Sequence, residues 1–195
     1  MYIKPISSNN KDKRTIKQEI EGIYQAGPLP EPICKSSCSD YNAAQGCNRH
    51  CISAPEMLSS EDETYPLEKL VAPLVFEIKK LGVFHPCWSC EGHNDTEGKL
   101  WKIPRVWFYS DSVVHVRALV IAIDQINNIH HLSTRWSIVV TYSDPSNPNT
   151  TFSLEPQLSN ADLNIELLQS DMKTIYTNIE VEFRKACGIL QKNDH

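Results

Sequence analysis

The chain has 195 residues, of which 41% are hydrophobic and 22% are charged, so it can form one domain with a buried core and an appended segment. Its formal net charge is −5, and it contains no lysine-rich or arginine-rich run, so we expect no nucleic-acid binding. No stretch of about 18 apolar residues is present, so the sequence predicts no membrane span.

The first 33 residues are predicted to be a flexible or partly helical leader. Residues 1–21 are polar and charged and lack the apolar core of a secretory signal, so we expect a cytoplasmic protein. Helical periodicity over residues 11–25 gives way to a connector, 26–32, that contains three prolines. A cysteine-rich element follows at 34–52, and residues 53–64 are predicted to form an acidic linker.

An α+β domain is predicted over residues 65–191. Apolar residues recur at helical spacing from 67 to 81, and Gly82 lies where a helix C-cap is expected. Pro73 does not suit a helix interior, so this helix is kinked or begins late. Strands are predicted at 83–89 and 103–109, and a helix then runs from Asp111 or Ser112 to about His130.

The same order of elements then repeats. Residues 136–142 and 151–155 are predicted strands, separated by a turn at 143–149. Ser159 and Asp162 resemble a capping box at the start of a long last helix. A ββα-ββα order predicts one four-stranded antiparallel sheet whose apolar face is covered by helices, which is a two-layer α+β sandwich.

Cys34, Cys38, Cys47 and Cys51 form a C-x3-C-x8-C-x3-C pattern, which predicts a metal site. Four thiolates satisfy a tetrahedral shell, and the segment has too few apolar residues to order itself by burial. We expect a structural zinc site, with an iron–sulfur cluster as the second choice. His50 is an alternative fourth ligand.

Two other interpretations of this element are open. Cysteines at i and i+4 lie on one helix face, so the two C-x3-C pairs could instead be bridged as a disulfide-linked helical hairpin. Alternatively, the four cysteines are unligated thiols. A cytoplasmic location favours metal binding over disulfides.

A second group of candidate ligands lies at the end of the first predicted strand. Cys87, Cys90 and His93 could supply three ligands to zinc and leave a fourth position open, as catalytic zinc requires. Glu91 is a candidate general base on a zinc-bound water. His85 or Asp95 could instead close the coordination shell.

The second group has three competing interpretations. It is a catalytic or substrate-binding site, or it is a second structural metal site or shares ligation with the first cluster. In the third interpretation, its cysteines are buried structural residues beside a packed Trp88, and its histidine is an ordinary surface residue. His115 begins the following helix and could approach His93, although a surface histidine is the simpler expectation.

Two functions therefore remain from the sequence. The first is a zinc-binding adaptor in which the cysteine-rich element is structural and the α+β domain binds a protein partner. The alternative is a zinc-dependent enzyme centred on Cys87, Cys90, Glu91 and His93.

Overall fold

The computed structural model describes residues 10–26, 67–141, 150–158 and 164–192. These residues form four helices and six strands: α1 (Asn10–Ala26), α2 (Ala72–Lys80), β1 (Phe84–Cys90), β2 (His93–Asn94), β3 (Leu100–Lys102), β4 (Arg105–Ser110), α3 (Val113–Ile129), β5 (Trp136–Thr141), β6 (Thr151–Pro156) and α4 (Ile165–Lys192). The predicted cysteine-rich element, acidic linker, 143–149 turn and capping box lie outside the described residues.

The main sheet has four antiparallel strands in the order β1-β4-β6-β5. Each predicted strand pair is formed, and the second strands of the two pairs meet at the centre, where Phe108 lies opposite Phe152. The predicted α+β class and four-stranded antiparallel sheet are therefore confirmed.

The hydrophobic core lies between this sheet and the helices. Val106 and Phe108 are fully buried on one face of β4, while Trp107 between them points to the other face. The Phe84 ring lies 5.3 Å from that of Phe108 and 5.6 Å from that of Phe183 on α4. Burying each such ring stabilises the fold by roughly 1.5–3 kcal/mol.

The helix starts follow from local chemistry. The helix α2 begins at Ala72 with Pro73 in its first turn, where a missing N–H is tolerated, so the predicted late start is confirmed. Ser112 caps α3 by accepting a hydrogen bond from the Val114 N–H at 3.1 Å. The side chain of Asn164 accepts one from Leu167 N–H at 2.9 Å, just before α4.

A buried carboxylate ties α4 to the loop between α3 and β5. Asp171 accepts hydrogen bonds from the Ser133 N–H at 2.9 Å, the Ser133 hydroxyl at 2.6 Å and the Trp136 indole N–H at 3.1 Å. Asn127 holds the start of β5 through both backbone groups of Trp136. These bonds satisfy polar groups that burial would otherwise leave unpaired.

The hairpin of β2 and β3 was not predicted. It lies between β1 and β4 in the chain and forms a separate two-stranded sheet. None of the helices that the structure describes has both the length and the apolar character needed to cross a membrane.

Candidate metal centre

Three side chains with metal-binding atoms converge at the end of β1. They are Glu68, Cys90 and His93, and one ligand atom from each lies within 4.8 Å of the others. Glu68 Oε1 is 2.8 Å from His93 Nε2. Cys90 is buried, whereas the other two side chains are partly exposed, so the group is reachable from solvent.

Glu68 reaches this position from the turn that precedes α2. Leu67 and Val71 pack into the hydrophobic core on either side of it, and the Glu68 carbonyl accepts a hydrogen bond from Ala72 N–H at 3.1 Å. Its second carboxylate oxygen accepts a hydrogen bond from the Glu91 N–H at 2.6 Å. The carboxylate is therefore oriented toward the end of β1 from a segment distant in sequence.

A glycine bend brings His93 back toward Cys90. Gly92 has φ +86°, and a Cβ at this position would lie 2.3 Å from Ile165 Cδ1 and 2.9 Å from Pro104 Cδ. Both the left-handed backbone and the close packing require glycine. The bend turns the chain out of β1 and into β2, where His93 pairs with β3.

The first turns of α4 support the same bend from the other side. Ile165 packs against Gly92, and the Gln169 side-chain amide donates a hydrogen bond to the Glu91 carbonyl at 3.3 Å. The three candidate ligands are thus held by four parts of the fold: the turn before α2, the end of β1, β2 and the start of α4.

The donor set fits zinc after a small adjustment. Tetrahedral zinc with bonds of about 2.0–2.1 Å to N and O places such atoms about 3.3 Å apart, so the 2.8 Å pair of Glu68 and His93 must open by about 0.5 Å. Partial exposure of both side chains permits that movement. One thiolate, one carboxylate and a neutral imidazole balance the charge of a divalent ion and leave a fourth position for water.

The electrostatics at Cys90 combine opposing effects. Burial raises the pKa of the Cys90 thiol, and the Glu68 carboxylate raises it further. A hydrogen bond from the Gly92 backbone and the nearby charges of Lys102 and Arg105 lower the same pKa. The last three groups favour the thiolate, which is the form that binds a metal.

The structure brings together only some of the predicted ligands of the second group. Cys90 and His93 come together, but Cys87 is exposed and is not part of this group. The Glu91 carboxylate does not join the group either, and one of its oxygens accepts a hydrogen bond from Leu70 N–H at 2.9 Å. The roles predicted for these four residues, zinc ligands and general base, remain predictions.

The two proposed closing ligands are engaged elsewhere. His85 Nε2 lies 3.0 Å from a carboxylate oxygen of Asp111, at the opposite end of β1 from Cys90. Asp95 accepts a hydrogen bond from Lys99 N–H at 2.8 Å and so shapes the β2–β3 turn. Neither belongs to the three-residue group.

His115 is buried in the fold and does not lie on the surface. Its Nε2 atom is 3.3 Å from a carboxylate oxygen of Glu19 on α1, so this imidazole joins α3 to α1. The alternative placement beside His93 is not observed.

Glu68 was missed at the sequence level. It lies 22 residues before Cys90, within a stretch whose clearest feature is the helical spacing of apolar residues. A single glutamate in such a stretch is typical of a solvated position, so only the tertiary structure identifies it. The ligands predicted in the cysteine-rich element, Cys34, Cys38, Cys47 and Cys51, lie outside the described part of the chain.

Comparisons with protein-family models, with curated proteins and with solved structures each found no match for this chain.

Proposed function

We propose that this protein binds one zinc ion through Glu68, Cys90 and His93, and that its α+β domain acts as a metal-stabilised binding module. The observation that supports this proposal is the convergence of three different ligand types, from two separate segments, with donor atoms within 4.8 Å. Nitrogen, sulfur and carboxylate ligands together are typical of zinc.

Zinc at this position cross-links the fold. The ion joins the turn that carries Glu68 to the bend at Gly92, and these segments are distant in sequence. Free energy of metal binding adds to folding stability when the unfolded chain lacks the preformed site. An iron–sulfur cluster is disfavoured here because the group contains one cysteine, Cys90, and such clusters need several thiolates.

The adaptor role draws support from the sheet face opposite the helices. Trp88 and Trp107 contact each other there with ring centroids 4.8 Å apart, and the Arg105 guanidinium lies 5.8 Å from the Trp88 ring. Tryptophan and arginine are enriched at the energetic centres of protein interfaces. A protein partner is therefore the class of ligand that this surface favours.

The proposal is tested by measuring zinc content and zinc affinity in matched variants. Cys90→Ser removes a proposed ligand, whereas Cys87→Ser removes a thiol three residues away that lies outside the group. We expect Cys90→Ser to lose one zinc per chain and Cys87→Ser to keep it. Loss of a direct ligand should weaken affinity roughly 100-fold or more, since changes to residues that only orient a ligand typically cost 10–100-fold.

A Cys34→Ser variant separates this centre from the cysteine-rich element. Zinc lost only in Cys34→Ser would confine the metal to that element and contradict a centre at Cys90. Equal zinc loss in Cys87→Ser and Cys90→Ser would contradict the ligand set proposed here. Visible absorption of the purified protein distinguishes an iron–sulfur cluster from zinc in either place.

A zinc-dependent hydrolase is the second candidate, because three protein ligands leave one coordination position open for water. Glu91 would then be the general base, and one of its carboxylate oxygens accepts a hydrogen bond from the Leu70 N–H. Hydrolysis of 4-nitrophenyl acetate that requires zinc and is lost in Glu91→Gln, with zinc retained, supports this candidate. Equal rates of hydrolysis by wild-type protein and Glu91→Gln contradict this candidate.

A further inference from the structure

The strand β5 is one edge of the four-stranded sheet among the residues that the structure describes. It pairs with β6 in unbroken register and contains no charged residue, proline or glycine. Soluble proteins usually protect an exposed edge with such residues, because unpaired backbone N–H and C=O groups recruit other strands. The composition of β5 therefore suits a strand that is paired on both sides.

The opposite edge has the usual protection. The strand β1 contains Pro86, which cannot donate a backbone hydrogen bond, and its register with β4 shifts between Pro86 and Trp88. Among the described strands, edge protection is thus present in β1 and missing from β5.

We infer that a second copy of this chain pairs with β5 in antiparallel orientation about Val139, which joins the two four-stranded sheets into one of eight strands. In this register Val139 opposes Val139 of the second copy, Ile138 opposes Val140, and Ser137 opposes Thr141. Each pair matches in chemistry, aliphatic with aliphatic and hydroxyl with hydroxyl, and such cross-strand pairs are favourable.

The neighbouring register is less well matched. Centring the two-fold axis on Ile138 would place Ser137 opposite Val139 and Trp136 opposite Val140. Both registers keep side chains on matching faces of the joined sheet, because opposed residues share the same alternation. Chemical matching therefore selects the register about Val139.

The helix beside β5 offers additional apolar surface. An exposed stripe of α3 includes Val113, Val120 and Asp124, and Asp124 forms an ion pair with Arg135, the residue before β5. Val113 is 75% exposed and Val120 is 36% exposed. Edge pairing plus this surface suits a two-fold homodimer, in which each copy presents the same patch.

The test uses the full chain and measures its mass in solution by sedimentation equilibrium. We expect wild-type protein to dimerise at about 100 μM, well above a micromolar Kd. Val139→Lys and Val139→Glu each place like charges opposite one another on the two-fold axis, so we expect either variant alone to be monomeric. An equimolar mixture of the two should dimerise again, because the opposed charges are then of opposite sign.

A control variant, Val181→Lys, places a charge on an exposed position of α4, and it should dimerise like wild type. Circular dichroism of both Val139 variants checks that each is folded. Wild-type protein that stays monomeric overturns the inference, as does a dimer that both Val139 variants retain. Folded monomeric variants that fail to reassociate when mixed overturn the two-fold register. None of these measurements depends on zinc, so a negative result for the dimer leaves the metal centre untouched, and the reverse also holds.

Discussion

The two ββα halves of the domain have the same order of elements and differ in regularity. The second half, β5, β6 and α4, pairs its strands in continuous register. The first half, β1, β4 and α3, has a register shift after Pro86 and an inserted β2–β3 hairpin. All the candidate ligands from the described residues lie at or beside the irregular half, because a bend and an insertion can aim polar side chains that a regular ladder cannot.

The regular half places its buried polar groups differently. Asp171, on α4, accepts hydrogen bonds from the Ser133 N–H, the Ser133 hydroxyl and the Trp136 indole N–H, so this buried carboxylate stabilises the fold and lies outside the group of candidate ligands. Stability and metal binding should therefore separate between the halves, and Asp171→Ala and Gly92→Ala test that separation.

The largest effect on stability is expected from Asp171→Ala in the regular half. The substitution leaves the Ser133 N–H, the Ser133 hydroxyl and the Trp136 indole without their buried acceptor. We expect the free energy of unfolding to fall by about 3 kcal/mol or more, measured by urea denaturation. Zinc affinity of the folded protein should stay close to that of wild type.

Lys173→Ala, at an exposed position on the same helix, is the control and should change stability little. A loss below about 1 kcal/mol in Asp171→Ala would show that the network contributes little, and so would contradict the assignment of Asp171 as an anchor.

An intermediate effect is expected from Gly92→Ala in the irregular half. The new Cβ meets Ile165 and Pro104 and must occupy a left-handed backbone, so we expect a loss of about 2 kcal/mol. Because the bend positions His93, zinc affinity should also fall about 10–100-fold, as for other supporting changes. Denaturation and chelator competition measure the two effects.

Gly98→Ala is the matched control for this substitution. Gly98 has φ +80° and nothing within 4 Å of a built Cβ, so it carries the backbone strain without the clash. Its expected cost is about 1 kcal/mol with zinc affinity unchanged. Equal effects of both substitutions on zinc affinity would contradict a positioning role for the Gly92 bend.

The smallest effect concerns Cys187, a buried thiol on α4. Burial raises the pKa of Cys187 from 9.0 to about 11, so the folded state holds this proton more tightly than the unfolded state. Its stabilising contribution is complete below pH 9 and is lost as pH rises toward 11. Cys187→Ala should therefore flatten the fall in stability over that range, measured by urea denaturation at successive pH values.

Burial also raises the pKa of the Tyr24 phenol, so this group too makes stability fall at alkaline pH. Tyr24→Phe separates the two contributions, since it leaves the thiol in place. An unchanged alkaline slope in Cys187→Ala would contradict the assignment to the thiol.

The parts of the fold that were predictable depend on local patterns. Alternation at Val106, Trp107 and Phe108 places residues on opposite sheet faces, and the Ser112 cap marks a helix start within the same few residues. The main strands and helices follow from such patterns, and so does their arrangement in one antiparallel sheet.

The candidate site was only half predictable. Cys90 and His93 are close in sequence and reactive in type, so their grouping is visible without a structure. Glu68 joins them only because α2 packs its preceding turn against the end of β1, and no local pattern encodes that contact. Cys87, three residues before Cys90, is exposed and lies outside the group of Glu68, Cys90 and His93, and its spacing from Cys90 alone could not predict this.

The first two turns of α4 contact two distant parts of the molecule. Ile165 contacts the bend that carries His93, and Asp171, about 9 Å further along the helix, holds the loop that leads into β5. The two halves of the domain therefore share these two helical turns as a common support.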